Sequence, residues 1–302
     1  MLEIMKILYD SVVVLWYFVF FIFLYVIYIR NVKPYKVKYE QKIRKKYPSK
    51  LNPAELSLLF YKKIIPEVFT ASILSLIRDG KIKVKKIEDD YLFTVSSTSE
   101  NKLSKSQEYI LDILFNSISK EPKLKLSDIE KYASDKSNST DFFTNYYVWR
   151  RIAHKETLDK HFFEEKSGYN LIVIYRQITD LLIIINFIAG YHNVYAYLLI
   201  IISFILSTFF YHTYKRTEDA NEEYHKWKAF QNYLLELNNE KHQLDKNKIF
   251  DFLIYGTVLK TTSNMPNDFF EGVDELAFKL NKIIKKCIIN AELYAYRKIQ
   301  WK

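Results

Sequence analysis

Glycine is nearly missing from this chain. Five glycines in 302 residues (Gly80, Gly168, Gly190, Gly256, Gly272), never closer than sixteen positions, leave no phosphate-cradling glycine loop, neither the P-loop nor the dinucleotide fingerprint. Cysteine is scarcer still: Cys287 stands alone, which excludes a disulfide scaffold. No residue pattern calls for a cofactor. Against these absences stand a formal charge of +10 and a mean hydropathy of −0.16. The first suggests a nucleic-acid partner and the second a soluble protein, but both are averages over unlike segments.

Residues 11–29 are nineteen consecutive uncharged residues. At about 1.5 Å per residue they cover roughly 28 Å, the hydrocarbon thickness of a bilayer. The run is too long for the apolar core of a cleaved signal peptide, and Arg30, Val32, Lys33 and Pro34 follow it without small residues, so an uncleaved anchor is expected. A second apolar region follows, with 34 uncharged residues at 181–214. That is too long for one span, and Gly190-Tyr191-His192-Asn193 supplies a turn. Two spans fit, 171–189 and 194–212. Arg176 and Asp180 then share one face near a cytosolic end, as an interfacial ion pair or, alternatively, an ion relay. Asn186, deep in a span, suits an interhelical hydrogen bond.

Basic flanks set the orientation. Residues 31–50 hold eight basic residues and one acid, and both ends of the second apolar region are basic. The expectation is three transmembrane helices, the N-terminus outside, and 31–170 and 213–302 in the cytosol. The charge excess concentrates in that juxtamembrane stretch, with Lys42, Arg44, Lys45 and Lys46 at its centre. These four form a candidate lipid-facing cluster for anionic headgroups.

The cytosolic segments read as mostly helical. Asn52-Pro53-Ala54-Glu55 is a helix start with a capping box, and Leu51 and Leu56 stand at the positions of a hydrophobic staple. A helix from about Phe69 to Asp79 stops at Gly80. The segment 81–95 is a β-hairpin turning at Glu88-Asp89-Asp90. Another helix starts at Ser104, with Gln107 three positions on. Helices followed by a hairpin outline a winged helix. A capping box at Ser127 and Glu130, then an amphipathic stretch over 142–160, suggest a second, degenerate unit. Asn138-Ser139-Thr140 matches the glycosylation sequon, by chance if the loop is cytosolic. Beyond 213, two amphipathic helices are expected. One carries Trp227, Phe230, Leu234 and Leu237; the other carries Leu276, Leu280, Ile283, Ile284, Cys287 and Ile288.

These residues carry a resemblance. Leu51-Asn52-Pro53-Ala54-Glu55, then Thr70 to Leu76 leading into Asp79-Gly80-Lys81-Ile82, then Glu108, Leu111, Leu114 and Phe115, resemble the cytosolic part of the YciQ-like predicted membrane proteins of bacteria. After the membrane hairpin, Arg216-Thr217 with Trp227 to Leu234, and Ile249 to Leu259, resemble that family's later helices. The likeness covers roughly 48–260. It implies a domain of unknown function and lends no catalytic residues. The family's extracytoplasmic β-rich domain and glycine-rich tail have no counterpart in this sequence.

Candidate chemistry is thin. Glu222 and His225 form one Glu-x-x-His pair, where a di-iron bundle needs two. His154 and His161 are seven apart and could share a helix face, without a third ligand. Cys287 reads as a buried small hydrophobe. DNA binding is the rival expectation, with Thr70, Ser72, Ser75, Arg78 and Asp79 on the reading helix and a better patch at Arg150, Arg151 and Lys155 with Trp149.

The expected architecture is therefore a mostly α membrane protein with small β-hairpins. Its parts are a short external N-terminus (1–10), a first span (11–29), a basic linker (30–50), winged-helix-like units (51–119 and 120–170), two further spans (171–189 and 194–212) and a cytosolic helical region (213–302). The expected role is a non-enzymatic interaction or scaffold module in the cell membrane. Its partners would be anionic lipids and cytosolic or membrane proteins, a second copy of the chain among them, with nucleic acid disfavoured. The alternative is a membrane-tethered DNA-binding or signalling regulator.

Overall fold

A computed structural model describes residues 2–96, 102–164, 215–236, 246–262 and 273–300, with scattered positions between 173 and 208. About half of the expected span 171–189, most of 194–212, the turn at 190–193, Asn186, Gly168 and Leu237 lie outside the described residues. The chain divides into two units, one of residues 1–38 and 161–222, the other of 39–160 and 223–302.

The smaller unit opens with α1 (Leu2–Ile27), extended by a π-helical turn, Tyr28–Val32. Among the described residues this is the one helix long and apolar enough to cross a membrane, over Asp10–Arg30. It is not uniformly exposed. Phe20 and Ile27 are buried at 3% and 1%, and Trp16, Tyr17, Phe23 and Leu24 pack on Phe20. This stripe repeats every three to four residues, so one face of the helix is covered. Val14, Phe18, Phe21, Ile22 and Tyr25 on the other faces are exposed.

The larger unit is built around α3 (Glu67–Arg78). Helix α2 (Pro53–Tyr61) enters through the full capping box: Asn52 Oδ1 accepts from Glu55 N at 2.9 Å, and Glu55 returns to Asn52 N at 2.8 Å. Leu51 and Leu56 are both buried. After α3, Gly80 adopts φ +71°, the left-handed turn that ends a helix at little cost only for glycine. Strands β1 (Ile82–Ile87) and β2 (Asp90–Val95) form the antiparallel hairpin. Helix α4 (Lys105–Leu111), continued by a π-helical segment to Ser119, is capped by Ser104 with Gln107. Strand β3 (Lys123–Lys125) then pairs with β2, and α5 (Leu126–Ser134) and α6 (Ser139–Lys155) follow.

Two local expectations are corrected here. Ser127 does not cap α5. Pairing with β2 carries the extended chain to Lys125, so the helix begins at Leu126, and Asp128 accepts the Lys125 N–H at 3.1 Å. His154 and His161 do not share a helix face either, because α6 ends at Lys155 and His161 takes φ 46° beyond it.

Three C-terminal helices complete the molecule: α7 (Glu218–Glu236), α8 (Lys246–Leu259) and α9 (Val273–Gln300). Within the larger unit α3 packs on α2, α8 and α9, while α9 also lies on α5 and α6. Trp149 of α6, fully buried, meets Phe69 of α3 edge-on at 4.8 Å. Trp227, Phe230, Phe252 and Tyr255 make a second aromatic cluster between α7 and α8. Replacing Trp149 with Ala is expected to cost about 3–5 kcal/mol, the usual range for emptying a large aromatic site in a core. Urea denaturation of the two proteins measures it.

Candidate membrane-interface site

The chain leaving α1 and the two ends of the segment 165–214 meet in the smaller unit. Phe163 and Arg216 form an antiparallel bridge. Glu164 N donates to Lys215 O at 2.9 Å, and Thr217 N donates to Phe162 O at 3.1 Å. Segment 165–214 therefore starts and finishes at adjacent points. Tyr35, eight residues past the end of α1, is held against them. Its hydroxyl donates to Glu164 at 2.9 Å, its carbonyl accepts from Asn221 at 2.9 Å, and Lys215 Nζ sits 3.8 Å from its ring centroid. Glu164 raises the Tyr35 phenol above its ordinary pKa, chiefly through that hydrogen bond. Further contacts join Lys215 Nζ to the Ile29 carbonyl at 3.4 Å and Lys38 N to Glu222 at 3.1 Å. Arg176 and Asp180 approach to 3.8 Å, and the Arg176 guanidinium lies 5.0 Å from the Phe204 ring centroid.

In the larger unit, residues 39–50 are not a free linker. They run antiparallel to α7. Asn232 donates to the Lys42 carbonyl at 2.9 Å, Arg44 N donates to the Ala229 carbonyl at 3.1 Å, and Ser49 bonds Glu223. Lys42, Lys45 and Lys46 are exposed along this strap, and Arg44 is half-buried, its Nε donating to the Lys46 carbonyl at 3.0 Å. Tyr47 anchors it. The ring packs on Tyr255 at 5.2 Å, and the hydroxyl donates to Asp251 at 3.2 Å. Burial first, and Asp251 second, push the Tyr47 pKa up.

Asp251 also takes Arg78 Nη1 at 2.5 Å, and Arg78 Nε bonds Asp79 at 2.9 Å. Burial by itself would lower the Arg78 pKa, but the two carboxylates outweigh it and hold the guanidinium charged. A cavity of about 390 Å³ opens here, lined by Tyr47, Lys50, Arg78, Gln107, Asp251 and Tyr255 among others. Arg78, Asp79, Asp251 and Tyr47 already satisfy one another, which makes the cluster a latch for the strap.

The other residues singled out in the sequence fall as follows. Thr70 and Ser75 are buried at 0% and 4%, and Arg78 is engaged in the latch. Trp149 cannot serve beside Arg150, Arg151 and Lys155, because it lies fully inside the core. Glu222, of the Glu-x-x-His pair, accepts from Lys38 N at 3.1 Å, and its neighbour Glu223 accepts from Trp227 Nε1 at 2.9 Å. Burial pushes the Cys287 thiol up to about 12. Among the described residues no cluster of His, Cys, Asp and Glu could hold a metal ion.

Among the described residues one helix has the length and apolarity to cross a membrane, and the rest is mostly helical with a three-stranded sheet. Residues 37–261 match the family described as predicted membrane protein (DUF2207) C-terminal domain. The chain belongs to that family, a domain of unknown function. The match takes in the strap, the latch and both ends of segment 165–214. Neither the curated proteins nor the solved structures give a match.

Asp251 is the residue on which the latch turns. Asp251→Ala is expected to cost about 1.5–3 kcal/mol, the worth of hydrogen bonds to a charged group. Trypsin should then cut faster after Lys45 and Lys46, as limited proteolysis would show. Asp251→Asn, which keeps an acceptor for Tyr47, should do less of both.

Proposed function

We propose that this protein is a non-enzymatic, membrane-anchored interaction module whose body lies in the cytosol and whose anchor has three spans. The carrying observation is the adjacency of residues 162–164 and 215–217. A segment of that length and apolarity, returning to its own starting point, fits two spans joined by a turn. Two spans also give the covered stripe of α1 a partner in the membrane. The exposed side chains of Lys42, Lys45 and Lys46, with Arg44, suit anionic headgroups at the cytosolic face.

The non-enzymatic reading rests on how the sequence candidates are employed. Glu222 accepts from Lys38 N, and Cys287 is sealed in the core. The tethered DNA-binding regulator is the weaker reading, since α3, the helix that would read bases, is packed between other helices.

A reporter enzyme active only outside the cytosol should stay silent when fused after Lys302 and become active when inserted at His192. Activity at Lys302 would overturn the topology. Changing Lys42, Arg44, Lys45 and Lys46 together to Gln removes about 1 kcal/mol of headgroup attraction per residue. Less phosphatidylglycerol should then co-purify with the protein, as lipid mass spectrometry would read. An unchanged lipid content would assign the cluster another purpose.

A further inference from the structure

Helix α6 has two unlike faces. Phe142, Tyr146, Trp149 and Ala153 are buried. On the opposite face Phe143 and Tyr147 stack at 6.5 Å with planes 30° apart, and Tyr147 remains 49% exposed. One and two turns further along stand Arg150, Arg151, His154 and Lys155. Positions 143, 147, 150–151 and 154 follow the i, i+4, i+7, i+11 spacing of a seam that receives another helix. Val148 and Leu158, exposed at 36% and 55%, add aliphatic surface beside it.

Some lysines elsewhere in the larger unit are ion-paired, while others, Lys83, Lys85, Lys105 and Lys123 among the described residues, are not. Lys86, Lys160, Lys260, Lys279, Lys285 and Lys286 each have a carboxylate within 4 Å. Among the described residues, Arg150, Arg151 and Lys155 have none. Glu156, the nearest acid in sequence, is turned away to cap α4 through Ser106 N at 2.9 Å. Arginine is also scarce: eight of the 45 basic residues are Arg, and two adjacent ones fall on this surface. Arg is the side chain suited to planar, bidentate capture of a carboxylate.

We propose that the outer face of α6 is a docking surface for an acidic, amphipathic helical segment of a partner protein. The segment's carboxylates would meet Arg150, Arg151 and Lys155, and its apolar stripe would cover Tyr147 and the neighbouring aliphatics. The seam sets an aromatic pair and cations in one row at the spacing that receives a helix, which suits an amphipathic helix with an apolar stripe and acids. This inference rests on reading the protein as an interaction module and names the chemistry of what it binds.

The test uses the full chain in nanodiscs of zwitterionic lipid and a fluorescein-labelled synthetic 18-residue helix. That probe has a leucine stripe and four central glutamates, and anisotropy reads its binding. Binding is expected, tightening as salt falls. The double substitution Arg150→Glu with Arg151→Glu should weaken it at least tenfold, and Tyr147→Ala about fivefold. The same peptide with Gln for Glu should bind at least tenfold more weakly. Tyr147 and Arg151 are exposed and Arg150 is half-buried, and an unchanged melting curve verifies that each variant folds. No binding of the peptide, equal binding by the variants, or tighter binding of an 18-nucleotide oligothymidine would overturn the proposal. A gain in affinity of wild type but not the double variant for anionic nanodiscs, without peptide binding, would instead make the face a lipid surface and also overturn it. The topology reporters read the anchor separately, so either result can fail without the other.

Discussion

The burial of α3 is the constraint that organises the larger unit. A 12-residue helix with nine buried residues must be covered on nearly every side, and its polar side chains must find partners where they lie. Each end of the helix shows how. Glu67, 4% exposed, meets Lys285 at 3.4 Å and Lys260 at 3.6 Å. Those two lysines come from α9 and the end of α8, so one carboxylate ties three helices. At the other end Arg78 binds its neighbour Asp79 and reaches Asp251 of α8, which in turn accepts from Tyr47. Arg78 locks α3 to α8 through a charge-assisted hydrogen bond, stronger than a neutral one, and Glu67 adds an ion pair to Lys260 just past α8.

That arrangement decides what α3 can do. In a DNA-reading winged helix the helix before the hairpin must expose a polar face. Here the same position in the chain is filled by a helix that holds the core together. The three-stranded sheet shows a related economy. Strand β3 comes from the segment after α4, yet it completes the hairpin formed before α4. Thus residues 82–95 and 123–125 form one sheet across the division that sequence would place near residue 119.

Local signals were legible in sequence where the physics is local. The capping boxes at Asn52 and Ser104, the helix stop at Gly80, the hairpin over 82–95 and the stripe of Trp227, Phe230 and Leu234 depend on neighbours within a few residues. The Ser127 reading failed because a strand partner thirty residues upstream set the helix start. The strap was harder still. Eight basic residues in twenty look like a solvated tether, and nothing near Tyr47 announces that Asp251, 204 residues away, accepts its hydroxyl. Trp149 misled for the same reason: beside two arginines it looks like part of a basic-aromatic patch, but the 3.6-residue period turns it inward while Tyr147 stays out.

Helix α9 shows that the folded unit is larger than the family match. The match ends at residue 261, before α9 begins. Yet α9 buries Leu276, Ala277, Leu280, Ile284, Cys287, Ile288 and Ala291, and it packs on α3, α5, α6 and α8. Without it the α9-facing sides of α3 and α6 would be open to water and Glu67 would keep only Lys260 as a partner. A buried carboxylate with one half-exposed lysine is poorly compensated, so α9 completes the electrostatics of α3 as well as its packing. The covering of α6 by α9 on one side also defines which face remains for other molecules. On α6, Tyr147, Arg151, His154 and Lys155 stay exposed.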